Sequence, residues 1–112
     1  MFDLDYSDMF FTCTVEDGTV HVSGEVDMNT ASTLYDALVA CAKDTGCLPT
    51  IDLGGVTYFD SSGVQALVDA RIIETNSNGP ARIVGVRPNV MRIMRLVGLD
   101  QLFDISGEKE KL

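Results

Sequence analysis

Tyr58-Phe59-Asp60-Ser61-Ser62-Gly63-Val64-Gln65-Ala66-Leu67 is the stretch on which the fold turns. Just upstream, Thr50-Ile51-Asp52-Leu53 and Val56 to Phe59 read as a buried strand interrupted at Gly54-Gly55. Downstream, Val64, Leu67, Val68 and Ile72 recur at helical spacing and predict a helix starting at about Ser62, with those residues on its inner face. The stretch is therefore a strand that becomes a helix, with hydroxyls and a carboxylate gathered at the junction. In open α/β sheets, ligand and reaction sites collect at such carboxyl ends of strands.

The rest of the chain is organised around this junction. On its N-terminal side, Phe11, Cys13 and Val15 alternate with Thr12 and Thr14, and Val20, Val22 and Val26 alternate with Thr19, His21 and Ser23. Asp17-Gly18 between the two runs predicts a hairpin. Ala31, Leu34, Tyr35, Leu38, Cys41 and Ala42 then follow a helical period to Lys43, with Asn29 or Thr30 as cap and Gly46 as stop. On the C-terminal side, Asn76 to Pro80 is turn chemistry and Arg82 to Val86 reads as a strand. Pro88 suits the first turn of a third helix with Val90, Ile93, Met94 and Val97 as its apolar stripe. Gly98 ends that helix, and Phe103-Asp104-Ile105 fits a last short strand. A hairpin followed by alternating helices and strands requires crossovers, hence parallel pairs. The expected fold is an α/β sandwich, with one mixed sheet of four to five strands packed by three or more helices.

Composition bounds the function. The 112 residues match one domain, and 46% hydrophobic with 22% charged residues is globular rather than disordered. A formal charge of −9 argues against a nucleic-acid or anionic-membrane surface. Three cysteines, Cys13, Cys41 and Cys47, are an odd count without a CxxC pair, unlike a secreted disulfide framework. The acidic N-terminus lacks signal-peptide features, and no apolar run approaches the roughly 18 residues of a membrane span. A soluble, reduced, cytoplasmic domain is expected.

Serine and aspartate at a strand-to-helix junction are ordinary helix caps. Ser62 followed by Gln65 fits a capping box, which makes Ser62 the expected cap and leaves the Ser61 hydroxyl exposed just outside the helix. A hydroxyl there is placed to accept a phosphoryl group facing the positive end of the helix dipole. Gly63 would let another backbone approach closely. The competing chemistries are thin. His21, the only histidine, lies on the polar side of a predicted strand, and no GxSxG elbow surrounds Ser61, so a serine hydrolase is disfavoured. Asp27, Asp52 and Asp60 lack histidine or cysteine companions at metal-ligand spacing. No phosphate-binding loop supports nucleotide binding by the chain itself. Cys41 and Cys13 are expected in the core and Cys47 in a loop, while Arg87, Arg92 and Arg95 make a small basic patch around the third helix.

Gly24-Glu25-Val26-Asp27, Asp52-Leu53 leading to Phe59-Asp60-Ser61-Ser62-Gly63-Val64, Val84-Gly85-Val86-Arg87-Pro88, and Val97-Gly98-Leu99 ending in Leu102-Phe103 together resemble the STAS domain, in particular bacterial anti-sigma factor antagonists. The resemblance treats residues 1–112 as one such domain with its core at about 10–105. It implies that Ser61, the first serine of the DSSG motif, is the phospho-acceptor. It also implies that Asp27 and Asp60, with Ser62 and Gly63, belong to the partner-binding surface. The implied partner is an anti-sigma factor serine kinase of the histidine-kinase-like ATPase type, captured by the unphosphorylated antagonist so that the sigma factor is released. Phosphorylation breaks the complex and a PP2C-type phosphatase restores it. The chain is then a substrate of phosphoryl transfer and not an enzyme; it needs no cofactor or metal of its own, because ATP and Mg²⁺ act in the kinase. The alternative is a STAS scaffold or transporter-associated module that never cycles through phosphate. The DSSG serine and the absence of flanking domains favour the switch.

Overall fold

The computed structural model describes residues 5–73 and 81–108. Ahead of the expected hairpin, β1 (Asp5–Ser7) pairs antiparallel with β2 (Phe11–Glu16). It makes a sixth strand where four to five were expected. Three residues cannot show an alternating pattern. The turn that sets this strand is made by Asp8, whose Oδ1 accepts the backbone N–H of Phe10 and of Phe11, each at 2.9 Å. β2 then turns into β3 (Thr19–Val26) through Asp17 and Gly18, with φ of 52° and 76°. Two positive φ values make the two-residue turn whose twist suits a hairpin, as the Asp-Gly step predicted.

From β3 onward every strand pair is parallel. α1 (Ala31–Thr45) leads to β4 (Thr50–Phe59), α2 (Ser61–Ile73) to β5 (Arg82–Val86), and α3 (Pro88–Leu96) with a 3-10 turn (Leu99–Gln101) to β6 (Asp104–Gly107). The sheet order is β1-β2-β3-β4-β5-β6. Right-handed crossovers between successive neighbours place all three helices on one face. Burial agrees: Phe11, Cys13, Val20, Val22, Ile51, Leu53 and Ile83 are buried, whereas Thr12, Thr14, His21, Ser23 and Asp52, which alternate with them, are partly exposed. The architecture is a two-layer sandwich with one polar, open sheet face. Fully buried Leu34, Leu38, Leu53, Leu67 and Ile83 each contribute about 1.5–3 kcal/mol of transfer free energy to its core.

Several boundaries differ from expectation. α1 extends two residues past Lys43 and ends where Gly46, at φ 85°, donates its N–H to Ala42 O at 2.7 Å. β4 is bulged at Gly54-Gly55 rather than interrupted. Between His21 and Ser23 of β3, the facing residues of β4 advance from Asp52 to Gly55, so an extra residue is absorbed without ending the strand. Ile72 and Val97, assigned inward by periodicity, are exposed, while Ala66 and Ala70 are buried on α2 and Val90 and Met94 on α3. The turn expected at 76–80 lies outside the described residues.

Candidate functional site

β3 and β4 end in register, with Val26 opposite Phe59. The next residue of each strand is an aspartate, so Asp27 and Asp60 emerge side by side at the carboxyl edge of the sheet. Asp60 N–H donates to Val26 O at 3.3 Å, which extends the parallel ladder by one bond.

Asp60, not Ser62, caps α2. Its Oδ1 accepts the backbone N–H of Ser62 at 2.9 Å, and its carbonyl accepts Gly63 and Val64 N–H at 3.0 and 3.2 Å. The capping box expected at Ser62 is not formed, and Gln65 instead donates from Nε2 to Asp69 Oδ1 at 2.8 Å. An aspartate two residues earlier is an equally good cap and carries a charge that suits the helix dipole. The second carboxylate oxygen, Oδ2, accepts the Tyr58 hydroxyl at 3.2 Å. Both Asp60 oxygens are thus held in place.

Ser61 is the first residue of α2 and is exposed; its hydroxyl has no hydrogen-bond partner among the described residues. Ser62 is half-buried. Gly63 is buried, and a Cβ on it would fall 2.6 Å from the Phe59 ring and 2.8 Å from Val26 Cγ1. What approaches it closely is therefore side chains of β3 and β4, not another backbone. Only glycine lets the first turn of α2 sit this low on the sheet.

Asp27 is fixed by a small network of its own. Its N–H donates to Thr30 Oγ1 at 3.0 Å, its Oδ1 accepts Asn29 N–H at 2.8 Å, and the Thr30 hydroxyl donates to Glu25 O at 2.9 Å. Thr30 is the residue before α1, yet its hydroxyl serves this loop rather than the helix end. The Tyr58 phenol sits among these carboxylates. Its pKa is raised above the ordinary 10.0, first by the Asp60 hydrogen bond and charge, then by burial and by Asp27 and Glu25. Beside them, a groove of about 550 Å³ runs between α1 and α2, with Met28, Tyr35, Ser61 and Gln65 among its walls. Sequence reading missed Tyr58, Glu25 and Thr30; the spacings Tyr58-x-Asp60 and Asp27-x-x-Thr30 were the available signals.

The other candidates lie elsewhere. His21 Nδ1 hydrogen-bonds Asp52 Oδ2 at 3.0 Å on the open sheet face, away from the helix layer that carries Ser61. Asp52 is thereby separated from Asp27 and Asp60. Among the described residues no His, Cys, Asp and Glu side chains group to hold a metal ion. Cys13 and Cys41 are buried and Cys47 is half-buried. Arg87 donates from Nε to Gly54 O at 2.9 Å, so it ties α3 to the bulge of β4, while Arg92 and Arg95 point outward. No helix among the described residues is long and apolar enough to cross a membrane.

The chain is 29% identical over 91 residues to the anti-sigma-B factor antagonist of Bacillus subtilis (strain 168), spanning 81% of this chain and 83% of that one. It is 27% identical over 88 residues to the anti-sigma-B factor antagonist of Listeria monocytogenes serovar 1/2a, spanning 79% and 77%. The crystal structure of an anti-sigma factor antagonist from Mycobacterium paratuberculosis superposes with a TM-score of 0.70 at 30% identity, covering 94% of this chain and 84% of that one. The family model described as Mlab, STAS domain matches residues 9–105, and the chain belongs to the STAS domain family.

Proposed function

We propose that this chain is an anti-sigma factor antagonist, a cytoplasmic protein-interaction switch without catalytic activity, in which Ser61 is the phospho-acceptor. The similarity to anti-sigma factor antagonists supports the general reading. The observation that carries the mechanism is the state of Ser61: an exposed hydroxyl without a hydrogen-bond partner, next to an aspartate that already occupies the helix cap.

That arrangement separates two jobs. Because Asp60 satisfies the Ser62 N–H, helix α2 does not need the Ser61 side chain, and phosphorylation adds charge without removing a cap. A phosphoryl group brings about −1.5 to −2 charge. Placed beside Asp60, with Asp27 and Glu25 close by, it turns an acidic surface into a strongly anionic one. A partner face that accommodates Asp27, Asp60 and Ser62 would meet like charge and a group that dehydrates poorly. Gly63 acts beneath this surface, by holding the first turn of α2 down.

The partner in this reading is an anti-sigma factor with serine-kinase activity, related to the histidine-kinase-like ATPases, which supplies ATP, Mg²⁺ and the catalytic base. In the transfer, the Ser61 Oγ–P bond forms, the bond from the γ-phosphorus to the ADP oxygen breaks, and the serine proton leaves through the kinase base. A PP2C-type phosphatase returns the hydroxyl. The test is incubation of the purified chain and its Ser61→Ala variant with host cytosol, Mg²⁺ and labelled ATP. Label on the wild type that disappears in the variant is expected. Equal label on both proteins moves the acceptor elsewhere. No label on either, with the kinase active on another substrate, favours a scaffold that does not use phosphate.

A further inference from the structure

We propose that this chain associates with copies of itself head to tail, the basic face of α3 on one copy docking on the acidic corner between β1 and β2 on the next. α3 carries Arg92 and Arg95 and no carboxylate, although the chain as a whole has a formal charge of −9. Both arginines are exposed, and neither has an ion-pair partner among the described residues. They flank a groove of about 460 Å³ with Met91 and Leu96 in its walls, and Leu96 is 79% exposed. The helix has more apolar side chains than the core takes in. Val90 and Met94 are buried, while Leu96 and the adjoining Val97 are left facing solvent.

The complementary patch lies beside the edge strand β1. In the link between β1 and β2, Met9 is 86% and Phe10 63% exposed. They share a groove of about 510 Å³ with Asp8, Glu25 and Asp27, none of which has a cation partner among the described residues. One patch is cationic around aliphatic side chains; the other is anionic around a methionine and a phenylalanine. α3 packs against β4 and the 3-10 turn, whereas the acidic corner is carried by β1, β2 and the end of β3, so within one folded molecule the two patches sit on separate elements. A second copy can bring them together, and this chain supplies both halves of the contact. Such a contact is heterologous: each copy keeps one patch free, and assembly continues into a chain or a closed ring. Charge pairs at an exposed rim steer association and are screened by salt, so the contact is salt-sensitive. The inference does not depend on the phosphorylation reading.

Sedimentation velocity over a concentration series tests it, at low ionic strength and again at high salt. The expected result is a weight-average mass that rises above the monomer with concentration at low salt and returns toward it when salt is added. The variants Arg92→Glu/Arg95→Glu and Met9→Lys/Glu25→Lys each alter one patch, and each alone is expected to associate roughly tenfold more weakly or less. Mixed in equal amounts they should recover association, because the first keeps its acidic corner and the second keeps its basic α3. Recovery on mixing also shows that both variants are folded. Leu96→Ser, which leaves every charge in place, should weaken association as well. A wild type that stays monomeric throughout overturns the proposal. So does an association that neither charge variant weakens, or one that mixing fails to restore.

Discussion

Val26 and Phe59 face each other in register across β3 and β4, so Asp27 and Asp60 leave the sheet as neighbours although they are far apart in sequence. Parallel pairing is what assembles this surface, and the two bulges of β4 against β3 set its phase. An even register without them would bring a different residue of β4 opposite Val26.

The Tyr58 hydroxyl reports on this neighbourhood. Its folded-state pKa is raised by Asp60 first, so the folded state holds the phenolic proton more tightly than the unfolded state does. The associated stabilisation is complete below the ordinary value of 10.0 and is lost as pH rises through the folded value. An ultraviolet titration should show a tyrosine ionising above 10.0 that moves back down in Asp60→Asn. An unchanged titration in that variant would place Tyr58 and Asp60 apart.

The choice of cap separates Asp60 from Ser62. Asp60→Ala removes the acceptor for Ser62 N–H and should cost about 0.5–2 kcal/mol in urea unfolding. Ser62→Ala should stay within about 0.5 kcal/mol of wild type, because its side chain caps nothing. The reverse order of the two effects would restore Ser62 as the cap.

Gly63→Ala drives a methyl group into the Phe59 ring and Val26. Neither neighbour is a flexible chain end in open space, so a loss of about 1–3 kcal/mol is expected from calorimetry or denaturant melts. A variant as stable as wild type would mean that α2 can rise from the sheet freely.

The thiols should divide by burial. Cys13 is pushed up to about 11, mainly by burial and further by Cys41, and the Cys41 thiol is also raised by burial and by Asp44. At neutral pH, alkylation followed by mass spectrometry should modify Cys47 first and leave Cys13 and Cys41 until the chain unfolds. Since the folded state favours the protonated Cys13, its contribution is present below the ordinary 9.0 and fades as pH rises toward about 11. Equal labelling of all three thiols would show that β2 and α1 open readily.

Much of the fold was legible because its signals are local. The Asp17-Gly18 hairpin, the alternation of β2 and β3, and the helical period of α1 each depend on residues close in sequence. β1 was missed because three residues carry no period, and what places them is the Asp8 carboxylate folding back on Phe10 and Phe11. Ile72 and Val97 were misplaced because periodicity gives a helix face but not where the partner sheet ends. At the site, the strand-to-helix junction followed from the pattern of the sequence, and Ser61 is exposed as expected, but as the first residue of α2 rather than just outside the helix. The cap did not: aspartate and serine share the same preference, and only geometry decides which of Asp60 and Ser62 makes the bond.

The most direct test of the switch is the affinity of the host anti-sigma factor for the chain with phosphate on Ser61, set beside its affinity for the unmodified chain in the same titration calorimetry experiment. Like-charge juxtaposition in an interface costs several kcal/mol, so affinity should fall by roughly a hundredfold or more on phosphorylation. Equal affinity of the two forms would contradict the switch at Ser61.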